Sequence, residues 1–247
     1  MRHLAQRIIA EAGRWIPARL TNRLARLPFI QRLLFRVVNK EDAEMLFQYA
    51  WVQRYRRNPG VVEEYWRRYR ELDRVLELVK PDSDVLDVGC GISTVLALLP
   101  GHRIGVDPLA ARYKQIHRYP PGVEVLTSPA ETLPFDTESF DLVISSNALD
   151  HMTDPAQALS EMRRVLRPDG RLVITCEVFD QSHQRDPAHP HAFDQARLLQ
   201  IVAGAGFALE FTAQHPWIGI SRYVEGMRTS DDHEVFIIAR PSAMVGG

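Results

Sequence analysis

The chain is predicted to be α/β: a doubly wound, mostly parallel seven-stranded sheet with an antiparallel last strand, carrying an N-terminal helical extension. Three observations predict it. Short continuous apolar runs recur at 85–88, 103–106, 123–126, 142–145, 172–175, 209–212 and 235–239, the pattern of strands covered on both faces. Helical patterns start between them near Ser93, Ala110, Asp154 and Phe193, so strands and helices alternate as in parallel sheets. A long polar loop, 215–233, precedes the last run, which suits an antiparallel strand inserted at the sheet edge.

The elements before the sheet form two zones. Residues 1–40 are a basic amphipathic helical arm, in which Leu4, Ile8, Ile9, Trp15, Ile16, Leu20, Leu24 and Leu27 recur at helical spacing between arginines. Pro17 and Pro28 divide this arm into short helices. Residues 41–80 are a helical cap rich in aromatic residues: Tyr49, Trp51, Tyr55, Tyr65, Trp66 and Tyr69. Asn58-Pro59-Gly60 is a turn between two helices, the second ending near Lys80-Pro81. Residues 81–242 then form the α/β domain.

Charge and cysteine content narrow the setting. The 247 residues carry a net charge of −1. The arm holds nine Lys/Arg against Glu11 alone, or +8, which leaves −9 on the rest. Such an arm suits an anionic membrane surface, a cap on the domain, or a homodimer partner. Nucleic acid is not expected, because the remaining domain is acidic and lacks a recognition motif. Cys90 and Cys176 make no disulfide framework, so a reducing, cytoplasmic setting is expected, with a peripheral place at the inner membrane surface open. No apolar run reaches the ~20 residues of a membrane span, and Arg14, Arg19 and Arg23 interrupt any secretory signal.

The most informative segment is Val85-Leu86-Asp87-Val88-Gly89-Cys90-Gly91-Ile92-Ser93, running from a strand into a helix. Gly89 and Gly91 let the backbone turn sharply and approach a ligand, and the next helix offers free N–H groups. Asp107 closes the following strand, 16 positions after Gly91. In doubly wound folds a carboxylate there binds ribose hydroxyls. The dinucleotide fingerprint needs a third glycine, and Ile92, Ser93 and Thr94 stand there instead, which disfavours nicotinamide. The Ser93 hydroxyl is expected to cap the helix.

These motifs, with PAETLPF (129–135), FDLVISSNALDHM (140–152) and LRPDGRLVI (166–174), resemble the class I S-adenosylmethionine-dependent methyltransferases. The likeness is to the small-molecule group of the ubiquinone and menaquinone methylating enzymes, and it covers about 90 residues. It implies a Rossmann-like fold, S-adenosylmethionine as cofactor, and a cofactor-binding set of Asp87, Gly89, Cys90, Gly91, Asp107, Pro108, Ala130, Glu131 and Asn147. Within that set the resemblance implies that Asp87, Gly89 and Gly91 line the methionine and Asp107 holds the ribose. Ala130 and Glu131 flank the adenine, and Asn147 sits beside the cofactor. Pro129 replaces an acid that related enzymes carry near the adenine amine. The adenine contact then falls to backbone groups, Glu131 or Ser128.

Acceptor chemistry is expected at the ends of strands four and five. Asp150 and His151 are candidate catalytic residues after strand four. After strand five, residues 180–191 hold Asp180, His183, Asp186, His189 and His191. His189 and His191, two apart in an extended segment, are expected to point the same way. Three readings stay open for this loop: an acceptor-binding or acid/base loop, a solvated loop capping the next helix, or a divalent metal site of His183, His189 and His191. O-methylation of a small-molecule or lipid- or glycan-type acceptor is favoured. C- or N-methylation, or cofactor binding without methylation, is the alternative.

Overall fold

The computed structural model describes residues 39–178, 189–216 and 233–242. Nearly all of the basic arm, most of the histidine-rich loop with His183, and most of 215–233 lie outside them. Helix α1 (Lys40–Arg57) starts where the Asn39 side chain accepts from the Asp42 N–H at 2.8 Å. Glu41 and Asp42 in its first turn and Arg54, Arg56 and Arg57 in its last complement the helix dipole. It stops at the expected turn, where Asn58 Oδ1 accepts from Gly60 N–H at 3.0 Å. The expected second helix is broken in two, α2 (Val61–Trp66) and α3 (Leu72–Glu77).

The sheet comprises β1 (Asp84–Val88), β2 (His102–Val106), β3 (Val123–Leu126), β4 (Phe140–Ser146), β5 (Leu166–Val178), β6 (Phe207–Pro216) and β7 (His233–Pro241), in the order β3-β2-β1-β4-β5-β7-β6. Strands β1 to β5 pair in parallel, and β7 runs antiparallel between β5 and β6. The mostly parallel sheet and inserted last strand match the sequence expectation. Three more helices are α4 (Ala110–Tyr113), α5 (Pro155–Val165) and α6 (Gln195–Gly204). The helix expected from Ser93 is only a 3-10 turn, Val95–Ala97, cut short by Leu99-Pro100-Gly101. Thr94, not Ser93, caps it, accepting from the Leu96 N–H at 3.2 Å.

Two apolar layers hold the sheet. On one face Leu159, Met162, Leu198 and Val202 of α5 and α6 pack on Leu86, Val143, Ile174 and Ile237. On the other, Trp51, Tyr65, Trp66 and Tyr69 of the helical segment pack on Val85, Ile144, Val173 and Phe236. Trp51, Tyr65, Trp66 and Tyr69 are thus core residues of the sheet domain, while Phe47 is exposed. Each large ring buried this way contributes on the order of 2 kcal/mol. No helix among the described residues is long and apolar enough to cross a membrane.

Candidate active site

Strand order reverses direction between β1 and β4, the position where open α/β sheets leave a crevice at the strand carboxyl ends. The glycine loop lies at this crevice. Gly89 and Cys90 donate to the Val106 carbonyl at 2.8 and 3.1 Å, tying the loop to β2. Gly89 has φ +76°, and a Cβ there would lie 2.4 Å from the Ala148 Cβ just beyond β4. Only glycine satisfies both the left-handed backbone and that approach. The Cys90 thiol lies against Gly105, where an added Cβ would meet Sγ at 2.8 Å.

Two buried acids face this loop. Asp107 accepts from Gly91 N–H at 3.2 Å and Leu109 N–H at 2.8 Å. Burial pushes its carboxyl up to about 6, partly offset by those backbone donors and reinforced by Glu44. Asp87 accepts from the Thr94 hydroxyl at 2.6 Å through one oxygen, while its other oxygen, Oδ1, is buried with no hydrogen-bond partner among the described residues. Burial pushes Asp87 up to about 7, against the Thr94 bond and aided by Asp107. A buried acceptor without a donor is costly, and a ligand bearing a cation or hydroxyls relieves it. The acids and the glycine backbone therefore fit the cationic, hydroxyl-bearing S-adenosylmethionine.

Around this crevice the other cofactor candidates divide. Pro108 is exposed at its lip and Ala130 is buried. The Glu131 carboxylate accepts from the Thr153 and Asp154 N–H groups at 2.7 and 3.1 Å. It therefore holds the start of α5. Ser128 is also engaged internally, its hydroxyl donating to the Thr132 carbonyl at 2.9 Å. Asn147 has φ +51°, sparsely populated for a side-chain-bearing residue. Its Nδ2 donates to Glu177 Oε1 at 3.4 Å and its Oδ1 is buried with no hydrogen-bond partner among the described residues. The Asn147–Glu177 bond links the ends of β4 and β5.

Two residues that sequence reasoning missed come from α1. Gln48 accepts from the Ile92 N–H at 2.9 Å and donates to Glu44 at 2.9 Å. A Cβ on Gly91, itself at φ +50°, would strike the Gln48 amide at 2.8 Å. Glu44 Oε2 in turn lies 3.4 Å from His151 Nδ1. The four-residue spacing puts both side chains on one helix face, but that signal is common to many helices.

His151 and Asp150 sit on a 3-10 turn, Leu149–His151, after β4. Asp150 is 1% exposed, and neither carboxylate oxygen has a hydrogen-bond partner among the described residues. Its Oδ1 lies 3.9 Å from His151 Nε2 and its Oδ2 3.9 Å from His189 Nε2. The two imidazole centroids are 4.1 Å apart. Burial and His189 oppose a charge on His151, but Asp150 and Glu44 outweigh them and raise its pKa above the usual value. Burial opposes ionisation of Glu44 too, yet its bond to His151 takes its pKa below the ordinary carboxylate value.

His191 departs from expectation. Its backbone N–H donates to the Asp150 carbonyl at 3.2 Å, which anchors the loop end and brings His189 over the acid. The His191 ring instead stacks on Phe193 and reaches the Thr153 carbonyl at 3.3 Å. The two rings therefore do not converge, because the pinned backbone at 191 and the Phe193 face turn the second one away. His183 lies outside the described residues.

Residues 86–174 match a protein-family model described as a methyltransferase domain. Over 164 residues the chain is 33% identical to a Mycolicibacterium smegmatis protein named "Probable S-adenosylmethionine-dependent methyltransferase", covering 62% of this chain and 64% of that one. It is 31% identical over 125 residues to the ubiquinone/menaquinone biosynthesis C-methyltransferase UbiE of Hahella chejuensis, covering 46% and 49%. This chain thus spans less than two thirds of the length of either relative. The fold is similar to a solved S-adenosylmethionine-dependent methyltransferase from Methanosarcina mazei, with TM-score 0.54, 20% identity, and 68% and 97% of the chains covered. It is also similar to the [4+2]-cyclase SpnF, with TM-score 0.53, 20% identity, and 70% and 81% covered. With its glycine loop, its paired acids and the matched segment 86–174, the chain carries a methyltransferase domain similar to those of S-adenosylmethionine-dependent methyltransferases.

Proposed function

We propose that this protein transfers a methyl group from S-adenosylmethionine to an oxygen of a small-molecule or lipid- or glycan-type acceptor. When bound, the cofactor supplies a methyl group on a cationic sulfur. Asp107 and Asp87 would hold it from one side through ribose hydroxyls and the ammonium group. The acceptor would enter beside Asn147, in line with the methyl, a positioning effect worth several kcal/mol.

The observation that carries the oxygen preference is the Glu44–His151–Asp150–His189 cluster. An acceptor hydroxyl must lose its proton, and an imidazole backed by a buried carboxylate is equipped to take it. His189, part-exposed over Asp150, is the group that would bind or deprotonate the acceptor. His151, tied to Glu44, would keep Asp150 in place. A mass-spectrometric screen of hydroxyl-bearing acceptors tests this, with the methyl label read on oxygen. Label appearing only on nitrogen or carbon would overturn it.

A second reading, N-methylation, is favoured by one observation. Glu177, Glu234 and His215 lie in register across β5, β7 and β6, with the Tyr69 hydroxyl donating to Glu234. Buried carboxylates beside Tyr65, Trp66 and Tyr69 suit an amine-bearing acceptor. The same screen separates the two readings.

A further inference from the structure

We propose that Asp150, His151 and His189 form a binding site for one divalent transition-metal ion, with Glu44 as the carboxylate that orients His151. The inference rests on the reading of this cluster as the acceptor site and changes one role in it: with an ion bound, His189 serves as a ligand and the ion, not the free imidazole, takes the acceptor oxygen.

The three side chains each offer one ligand atom, and those atoms all lie within 4.8 Å of one another. The bridging group is the informative one. Asp150 is almost fully buried and neither oxygen has a hydrogen-bond donor among the described residues, yet each faces an imidazole Nε2 at 3.9 Å. That separation is too long for a hydrogen bond. It is near the spacing of neighbouring ligands around one ion: bonds of about 2.1 Å in a tetrahedral set put them about 3.4 Å apart. Ligand atoms that lie within 4.8 Å of one another reach that spacing by side-chain shifts of up to about 1.4 Å.

The fourth residue gives independent support. His151 presents Nε2 toward Asp150 and Nδ1 toward Glu44 Oε2 at 3.4 Å. A metal-bound imidazole is usually held in this way, its far nitrogen donating to a carboxylate that fixes the tautomer. Glu44 is itself steadied by the Gln48 amide at 2.9 Å, so the orienting group is anchored on α1. The His191 N–H bond to the Asp150 carbonyl fixes the chain two residues after His189. Elements from three distant parts of the sequence thus converge on one buried carboxylate.

The donor set decides the class of ion. Two imidazoles and one carboxylate favour borderline ions such as Zn²⁺, Co²⁺ or Fe²⁺ over Mg²⁺ and Ca²⁺, which take oxygen ligands. Three protein ligands leave coordination positions open to an oxygen of the acceptor.

The test uses the full chain, freed of metal by a chelator and titrated with Co²⁺ and then Zn²⁺, without cofactor. One equivalent of Co²⁺ should give visible d–d absorption that Zn²⁺ abolishes. Asp150→Asn and His189→Ala should weaken uptake more than about 100-fold, and Glu44→Gln about 10–100-fold. His191→Ala should bind as wild type does. Melting curves of each variant, taken without metal, show that it is folded. His189→Ala replaces a part-exposed ring and serves if Asp150→Asn does not fold. Wild-type protein that takes up no Co²⁺ while still binding S-adenosylmethionine overturns the metal site and leaves the methyl-transfer reading standing. Uptake that His189→Ala and His191→Ala weaken equally, or that neither weakens, also overturns it.

Discussion

The glycine-loop crevice and the acid–imidazole cluster both lie at the carboxyl ends of β1 and β4, but they are assembled differently. The crevice is built from two adjacent βα turns, with Asp87, Gly89, Gly91 and Asp107 within 21 residues. The cluster draws Glu44 from α1, Asp150 and His151 from the turn after β4, and His189 from the loop after β5. The crevice holds two buried acids facing a backbone loop, an arrangement that recruits a cationic ligand. The cluster contains both signs of charge and does not depend on a cationic cofactor for its balance. Cofactor affinity and acceptor chemistry should therefore separate under mutation.

Asp107→Ala is the largest expected break. It removes a carboxylate held by two backbone donors, and each bond from a bound ligand to such a charged group is worth about 1.5–3 kcal/mol. Calorimetry should show S-adenosylmethionine affinity falling roughly 100-fold. His189→Ala should do the opposite: cofactor affinity unchanged, methyl transfer down by about 10²–10⁴, the range for a lost acid/base group. Equal losses of affinity in both variants would show that the two regions are one unit.

Gly89→Ala comes next. The added Cβ would lie 2.4 Å from that of Ala148 at an unfavourable φ, so stability should fall by about 1–3 kcal/mol, measured by urea denaturation.

Asp87→Asn sharpens the contrast through pH. Its folded pKa, about 7, stands above the ordinary 3.8, so the native state holds that proton more tightly than the unfolded chain does. The resulting stability is complete below pH 4 and is lost as pH rises toward 7. The variant should therefore melt about 2–4 °C higher than wild type at pH 8, with no gain at pH 4. A gain at pH 4 as large as that at pH 8 would contradict the burial of a charged Asp87.

The smallest effect concerns Glu44→Gln. With one of its two supporting carboxylates gone, His151 should titrate at lower pH, read from its ring proton resonances. An unchanged titration would mean that Glu44 does not govern the ring.

The difference in assembly also explains what the sequence made legible. Strand positions, sheet type, the glycine loop and Asp107 follow from local patterns, because neighbouring βα units bring sequence-adjacent groups together. Asp150, His151 and His189 were recognisable as titratable residues near strand ends, but their convergence depends on the His191 N–H bond to Asp150, which no local pattern encodes. Glu44 and Gln48 were hidden among the polar positions of an aromatic-rich helix. Their role depends on how α1 lies over the glycine loop, a tertiary fact. The helix expected at Ser93 failed for a local reason, since Leu99-Pro100-Gly101 leaves it no room. Glu131 was assigned to the cofactor on resemblance, whereas its carboxylate holds two backbone N–H groups at the start of α5.

The most direct test is calorimetric titration of S-adenosylmethionine into wild-type, Asp107→Ala and His189→Ala proteins under one buffer condition. The account predicts equal affinity for wild type and His189→Ala and a roughly 100-fold loss for Asp107→Ala. No binding to the wild type, or undiminished binding to Asp107→Ala, would contradict it.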